Sequence, residues 1–219
     1  MLYGRFKKFR GCFFGLEFNG KLSYTQIENK LWINRGQIMN VKQFVINRAT
    51  IKEIIENQKE LQEFMITAVG ATMEEYHTAI FVECAEAIQE TNFKWWKHTI
   101  TDVEKLKFEI ADIFIFSLDY SILQGQEKET NKLLSEEWTC VGAVKTDYED
   151  MLMRLKLIGS KKYMKLYGSK FGLFNMRAII DLIVMYNYLD FPSVIVKKQL
   201  VNIKRQQNGY NVQKECATE

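Results

Sequence analysis

Proline is almost missing from this sequence: Pro192 is the one example among 219 residues. Proline lacks a backbone donor and clashes inside helices, so its scarcity leaves long helices uninterrupted and points to an all-α chain with few long loops. Histidine is nearly as scarce, with His77 and His98 alone, which gives a histidine-based zinc site or a catalytic triad little to build on. The four cysteines, Cys12, Cys84, Cys140 and Cys216, are scattered without paired metal spacing. Cys84 falls inside a predicted helix and reads as a small buried hydrophobe. Reduced thiols of this kind lead us to expect a cytoplasmic protein. No apolar run reaches the roughly 18 residues of a membrane span. Met1 to Phe14 is basic and aromatic but lacks a signal-peptide core and cleavage site. The net charge of +3 is too small to imply nucleic-acid binding by itself. Neither a membrane nor a nucleic acid is therefore expected as a partner.

What is present is apolar residue in quantity, 47% of the chain, enough for one sizeable core. Residues 1–38 mix aromatics, glycines and basic side chains with no helical period, and Met39 opens a helical pattern. We take 1–38 as an N-terminal extension or a translated leader ahead of a native start at Met39, and 39–215 as a single domain. A first helix is expected from about Val41, or from a restart at Thr50, to Val69, where Gly70 stops it. Thr50 with Glu53, Thr72 with Glu75 and Thr101 with Glu104 have capping-box spacing. The last two open helices, one carrying Ile80, Phe81, Cys84, Ala85 and Ile88 and the other running to about Leu123, where Gly125 ends it. Gln126–Trp138 reads as a shorter polar helix or loop. Asp147–Ile158 and Leu173–Leu189 have helical spacing, and Gly159–Gly172 connects them. A final helix is expected over Ser193–Gln207, with Pro192 at its first turn. No strand ladder stands out. The expected architecture is an all-α helical bundle, a four-helix core with additional C-terminal helices.

Chemistry concentrates between Glu83 and Asp112. Glu83/Glu86 and Glu109/Asp112 are acidic pairs spaced three apart, so each pair points two carboxylates from one helix face. The second pair sits in a segment apolar on nearly every side, from Phe108 to Phe116, and such a helix is normally buried. Buried charge without a partner costs several kcal/mol. Four convergent carboxylates in apolar surroundings need a cation, and an all-oxygen donor set suits Mg²⁺, with Mn²⁺ as a substitute. Such ions polarise a phosphate and acidify a bound water. The bland alternative is a set of solvated acids on amphipathic helices. Between the pairs lies Trp95-Trp96-Lys97, where an indole can pack on a sugar or base and a lysine can meet a phosphate, or where aromatics merely anchor a loop. Gln58 and Gln62 share a helix face and could read the amide edge of a base, or be surface polar groups. Near the C-terminus, Lys198, Asn202 and Arg205 share one face, a cationic surface suited to a phosphate ester. Gly209 then lets the chain turn and bring Tyr210 back.

Taken in order, these clusters resemble the dimeric dUTPase family of the all-α NTP pyrophosphatase superfamily. The matching features are E-x-x-E at Glu83 and Glu86, WWK at Trp95 to Lys97, and E-x-x-D at Glu109 and Asp112. The C-terminal K-N-x-L-N-x-x-R-x-x-x-G-Y pattern is met at Lys198, Asn202, Arg205, Gly209 and Tyr210. Gln58 with Leu61-Gln62 resembles the family's Q-x-x-L-N. Gln62 and Gln199 stand where the pattern has asparagines, and Val201 where it has leucine; the longer amides put the choice among pyrimidines in question.

The resemblance implies Mg²⁺-dependent hydrolysis of dUTP to dUMP and pyrophosphate, with dCTP or dUDP as further substrates. It implies metal ligation by Glu83, Glu86, Glu109 and Asp112, one of them also positioning or deprotonating the water. Lys198 and Arg205 would neutralise phosphate charge, and Lys97 would assist. Gln58, Gln62, Trp96, Asn202 and Tyr210 would bind base and deoxyribose. It further implies a homodimer with a deoxyuridine nucleotide as substrate. Two other readings stand beside it. One is a MazG-like pyrophosphatase of broader specificity, a family that lacks the R-x-x-x-G-Y ending. The other is a non-enzymatic helical protein binding nucleic acid or a partner, which leaves the buried acids without a reason.

Overall fold

The computed structural model describes residues 25–34, 37–94, 100–141 and 148–208, with backbone alone for those within 25–43 and for 68–69 and 139–141. In chain order, β1 (Thr25–Asn34) and β2 (Gln37–Ile46) precede α1 (Arg48–Phe64), α2 (Met73–Gln89), α3 (Val103–Leu123) and α4 (Glu127–Leu134). After β3 (Trp138–Val141) come α5 (Glu149–Ile158), α6 (Lys161–Tyr167), α7 (Phe171–Tyr186) and α8 (Phe191–Gln207).

Apolar residues on every side of α3 make it the centre of the bundle. Ile110, Ala111, Ile113, Phe114 and Leu118 are all buried, and α1, α2, α7 and α8 pack around the helix. The helical bundle expected from the sequence is what forms. The approach of α7 is close enough to demand glycine at one point. A Cβ on Gly172 would lie 2.3 Å from the Ser117 carbonyl oxygen and 2.4 Å from Ser121 Oγ.

Local signals cut the helices to length, with shifts of a residue or two from expectation. After α1 a π-helical turn over Met65–Val69 ends at Gly70, whose φ of 71° is left-handed and favours glycine. The Thr72 N–H donates to Glu75 Oε2 at 2.5 Å, as the capping-box spacing predicts. The other two boxes are replaced by stronger neighbours. Asn47 Oδ1 accepts from the Thr50 N–H at 2.8 Å, and Asp102 Oδ1 from the Lys105 N–H at 3.1 Å. The final helix starts two residues early, at Phe191, and the expected connector after Gly159 contains α6.

One class of element was not expected. β1, β2 and β3 form an antiparallel sheet in that order, with β1 and β2 paired from Thr25↔Ile46 to Asn34↔Gln37 and Phe44 opposite Trp138. The helical pattern read from Met39, and a helix start near Val41, are therefore corrected: these residues lie in β2, and the boundary placed after residue 38 falls inside that strand. Val41, Phe44 and Val45 have the i, i+3, i+4 spacing of a helix face, but a segment rich in β-branched residues pairs readily once partners exist. Phe44 and Trp138 are buried and join the strands to the helical core.

Candidate functional site

Glu83 and Glu86 project from α2, which buries Tyr76, Ile80, Cys84 and Ala87. Glu109 projects from the neighbouring α3. One carboxylate oxygen from each of Glu83, Glu86 and Glu109 lies within 4.8 Å of the others, so two packed helices bring three of the four expected acids to one place. The fourth, Asp112, is one turn along α3 and 7% exposed. Its Oδ2 lies 2.5 Å from Lys198 Nζ on α8.

This arrangement is electrostatically uncomfortable. Burial pushes the Glu83 carboxyl up to about 8, with Asp112, Glu86 and Glu109 adding repulsion and Lys198 opposing it. Burial also raises Glu109, reinforced by Asp112 and resisted by Lys198. Asp112 is raised by burial and pulled back by its bond to Lys198 and by Arg205. Lys198 thus acts on three of the four carboxylates, and Arg205 extends the positive face of α8. One lysine among four acids leaves surplus negative charge, and oxygen donors this close fit a hard divalent cation. The triad could hold a metal ion.

A second polar cluster lies deeper. Gln58 and Gln62 are 1% and 6% exposed, so neither is a surface group. Gln58 Nε2 donates to Asp119 Oδ1 at 2.8 Å. Gln62 Nε2 donates to the Asp119 backbone oxygen at 2.8 Å and to Oδ1 at 3.3 Å. On the other side, Gln199 Nε2 donates to Gln58 Oε1 at 2.8 Å and to the Ile54 carbonyl at 2.9 Å. Complete burial raises the Asp119 carboxyl well above the usual carboxylate range, against the pull of the two glutamine bonds. Sequence reasoning passed over Asp119 because it has no acidic partner three or four residues away. The available signal was its position seven residues after Asp112, on the same face of α3.

Asn202 is half-buried and Arg205 exposed on α8, one and two turns beyond Lys198. Trp96, Lys97 and Tyr210, expected at the base, sugar and phosphate, lie outside the described residues. Two cavities of about 310 and 280 Å³ open elsewhere, beside Lys59 and Glu127 and beside Met153 and Arg154. Neither is lined by a carboxylate of the triad. Chemistry rather than concavity marks the site.

The family model for dUTPase matches residues 50–210, a span that runs from the first turn of α1 through α8 and contains every residue of both polar clusters. A search of the curated proteins finds no match.

Proposed function

Because this chain belongs to the dUTPase family, a group of dUTP diphosphatases, we propose that α2, α3 and α8 together form the site where dUTP is split into dUMP and pyrophosphate. The observation that carries the assignment is the Glu83, Glu86 and Glu109 cluster standing beside the Lys198–Asp112 pair. It puts a cation-binding face next to a phosphate-binding group.

Glu83, Glu86 and Glu109 would hold the metal, with Asp112 as the fourth acid of that face; the all-oxygen set favours magnesium, with manganese able to replace it. Such an ion supplies Lewis-acid polarisation of phosphoryl oxygens and a water acidic enough to act as nucleophile at neutral pH. Lys198 is held by Asp112 and by the face of Phe108, with Nζ 5.6 Å from the ring centroid. It is thereby presented at the triad, where it neutralises phosphate charge. Arg205 does the same from two turns further along α8. Asn202, with Trp96, Lys97 and Tyr210, completes the deoxynucleotide contacts, and Gln62 supplies the base-recognising amide, with Gln58 bonded behind it in the buried cluster.

A homodimer fits the apolar residues left exposed on two adjacent helices, Phe81 and Val82 on α2 and Met153 and Leu157 on α5. A cytoplasmic location fits the scattered cysteines, and no described helix is long and apolar enough to cross a membrane.

The test is pyrophosphate release from dUTP, dUDP, dCTP, dTTP and the ribonucleotides, with and without Mg²⁺. The expected result is magnesium-dependent turnover of dUTP. Metal-independent turnover would remove the acidic triad from the mechanism, and no turnover of any nucleotide would overturn the reading.

A further inference from the structure

We propose that Asp119 is the positioning residue that sets base choice: it fixes the amide of Gln62 so that a carbonyl oxygen is the end left to meet the base, which selects uracil over cytosine. The inference rests on the dUTP reading above and deepens it.

Two backbone carbonyls, which can only accept, dictate the orientation of every amide in the buried cluster. The Ile54 carbonyl takes Gln199 Nε2, and the same nitrogen bonds Gln58 Oε1. That commits Gln58 Nε2 to Asp119 Oδ1. The Asp119 backbone carbonyl and Oδ1 together take Gln62 Nε2. With its nitrogen held by two acceptors, Gln62 has its Oε1 left over. That oxygen is bonded to no described group, and Gln199 Oε1 in the same cluster is buried without a partner. The cluster therefore ends in carbonyl acceptors and calls for a donor.

Uracil carries a proton at N3, between two carbonyls. Cytosine has a lone pair at N3 instead. A carbonyl fixed opposite N3 pairs with the first and repels the second, so discrimination comes from a repulsive contact as well as an attractive one. Thymine shares the N3 proton, so this device does not act on it.

The placement suits a nucleotide. Asp119 follows Asp112 by seven residues, about 10 Å along one face of α3. Gln199 follows Lys198 directly, so one turn of α8 serves both the phosphate side and the amide cluster. The two glutamines that replace the family's asparagines, Gln62 and Gln199, both belong to this cluster. Each longer amide finds its partner inside it.

The experiment measures kcat/KM for dUTP, dCTP and dTTP with Mg²⁺ in the full-length protein and in Asp119→Leu and Asp119→Asn. A released or unpaired buried amide shifts selectivity by about tenfold or more. Asp119→Leu is thus expected to lower the dUTP:dCTP ratio by that factor while leaving dUTP:dTTP unchanged. Asp119→Asn keeps an acceptor oxygen and is expected to restore the ratio. A folded Asp119→Leu whose three rates fall in proportion would overturn the proposal, because loss of structure alone does not reorder substrates. If that variant does not fold, Gln62→Met, which removes the carbonyl and leaves Asp119 with Gln58, must lower the dUTP:dCTP ratio; an unchanged ratio overturns the proposal. A wild type that turns over dCTP as well as dUTP overturns this inference alone, whereas one that turns over neither overturns the dUTP reading itself.

Discussion

α3 carries two polar regions that differ in how far their demands are met. At Glu109 and Asp112 burial raises the proton affinity of both carboxylates; Asp112 and Glu86 add repulsion at Glu109, while Lys198 and Arg205 pull Asp112 back. Two turns later, Asp119 is more deeply buried, yet its oxygens accept from two glutamine amides. Buried polar groups are normally satisfied, and the Asp119 carboxylate is satisfied from within the chain, although amide oxygen of its cluster is left over. The acids of the first region lack cations enough to match them, and a helix keeps such an arrangement where a ligand supplies what is missing. The contrast separates a surface awaiting positive charge from an internal frame.

The largest effect that would break this contrast is removal of a metal-face charge. Glu83→Gln is expected to lower kcat by about a thousandfold, since metal-derived stabilisation is worth several kcal/mol. It should also raise the melting temperature of the metal-free protein. The sign follows from the shift. Glu83 rises from 4.5 to about 8 on folding, so the fold favours its protonated form, and metal-free stability falls as pH climbs between those values. Glu83→Gln should flatten that slope, and Mg²⁺ should stabilise the wild type above pH 8. Thermal scans against pH, with chelator and with Mg²⁺, check both. A destabilised Glu83→Gln would mean that the acids of the two regions do not differ in kind.

Next comes Lys198→Ala, which removes the main cation beside the acids. A loss of about 100-fold in kcat/KM is expected from charge-assisted contacts to phosphate. The metal-free fold should weaken too, because Asp112 loses its partner at 2.5 Å. Adding Mg²⁺ should recover the stability but not the turnover.

How much of this was legible depended on sequence distance. The acidic pairs were readable because their spacing is local, and the apolar surround of Asp112 announced its burial. Gln58 and Gln62 were readable as a pair on one face, but their partner Asp119 is 61 and 57 residues away, and no local pattern reports a bond that long. The sheet was hidden for the same reason. β2 finds β3 across α1 to α4, and Val41, Phe44 and Val45 mimic a helix face until that pairing is known. The α3–α7 contact was equally silent, since Gly172 reads locally as a connector residue.

Gly172→Ala tests whether both regions depend on one rigid α3. Its Cβ would meet the Ser117 carbonyl at 2.3 Å, between the two clusters, and overpacking of this kind costs about 1–3 kcal/mol. The urea midpoint should fall accordingly. Because the helix must shift as a unit, the rates on dUTP and dCTP should decline together, unlike the reordering expected at Asp119.

The smallest effect is expected at Arg205→Ala. The side chain is exposed, and its charge reaches Asp112 through space rather than through a described bond. Exposed charges are screened by salt over roughly 10 Å at 0.1 M, so kcat/KM should drop by about tenfold or less at low ionic strength and the difference should shrink as salt is added. Lys198, half sheltered beside Phe108 and Asp112, should keep its effect at high salt. If the two variants respond to salt alike, the positive face of α8 acts only as a diffuse field. If they diverge, Lys198 belongs with the buried acids as part of the site and Arg205 with the surface that draws the phosphate in.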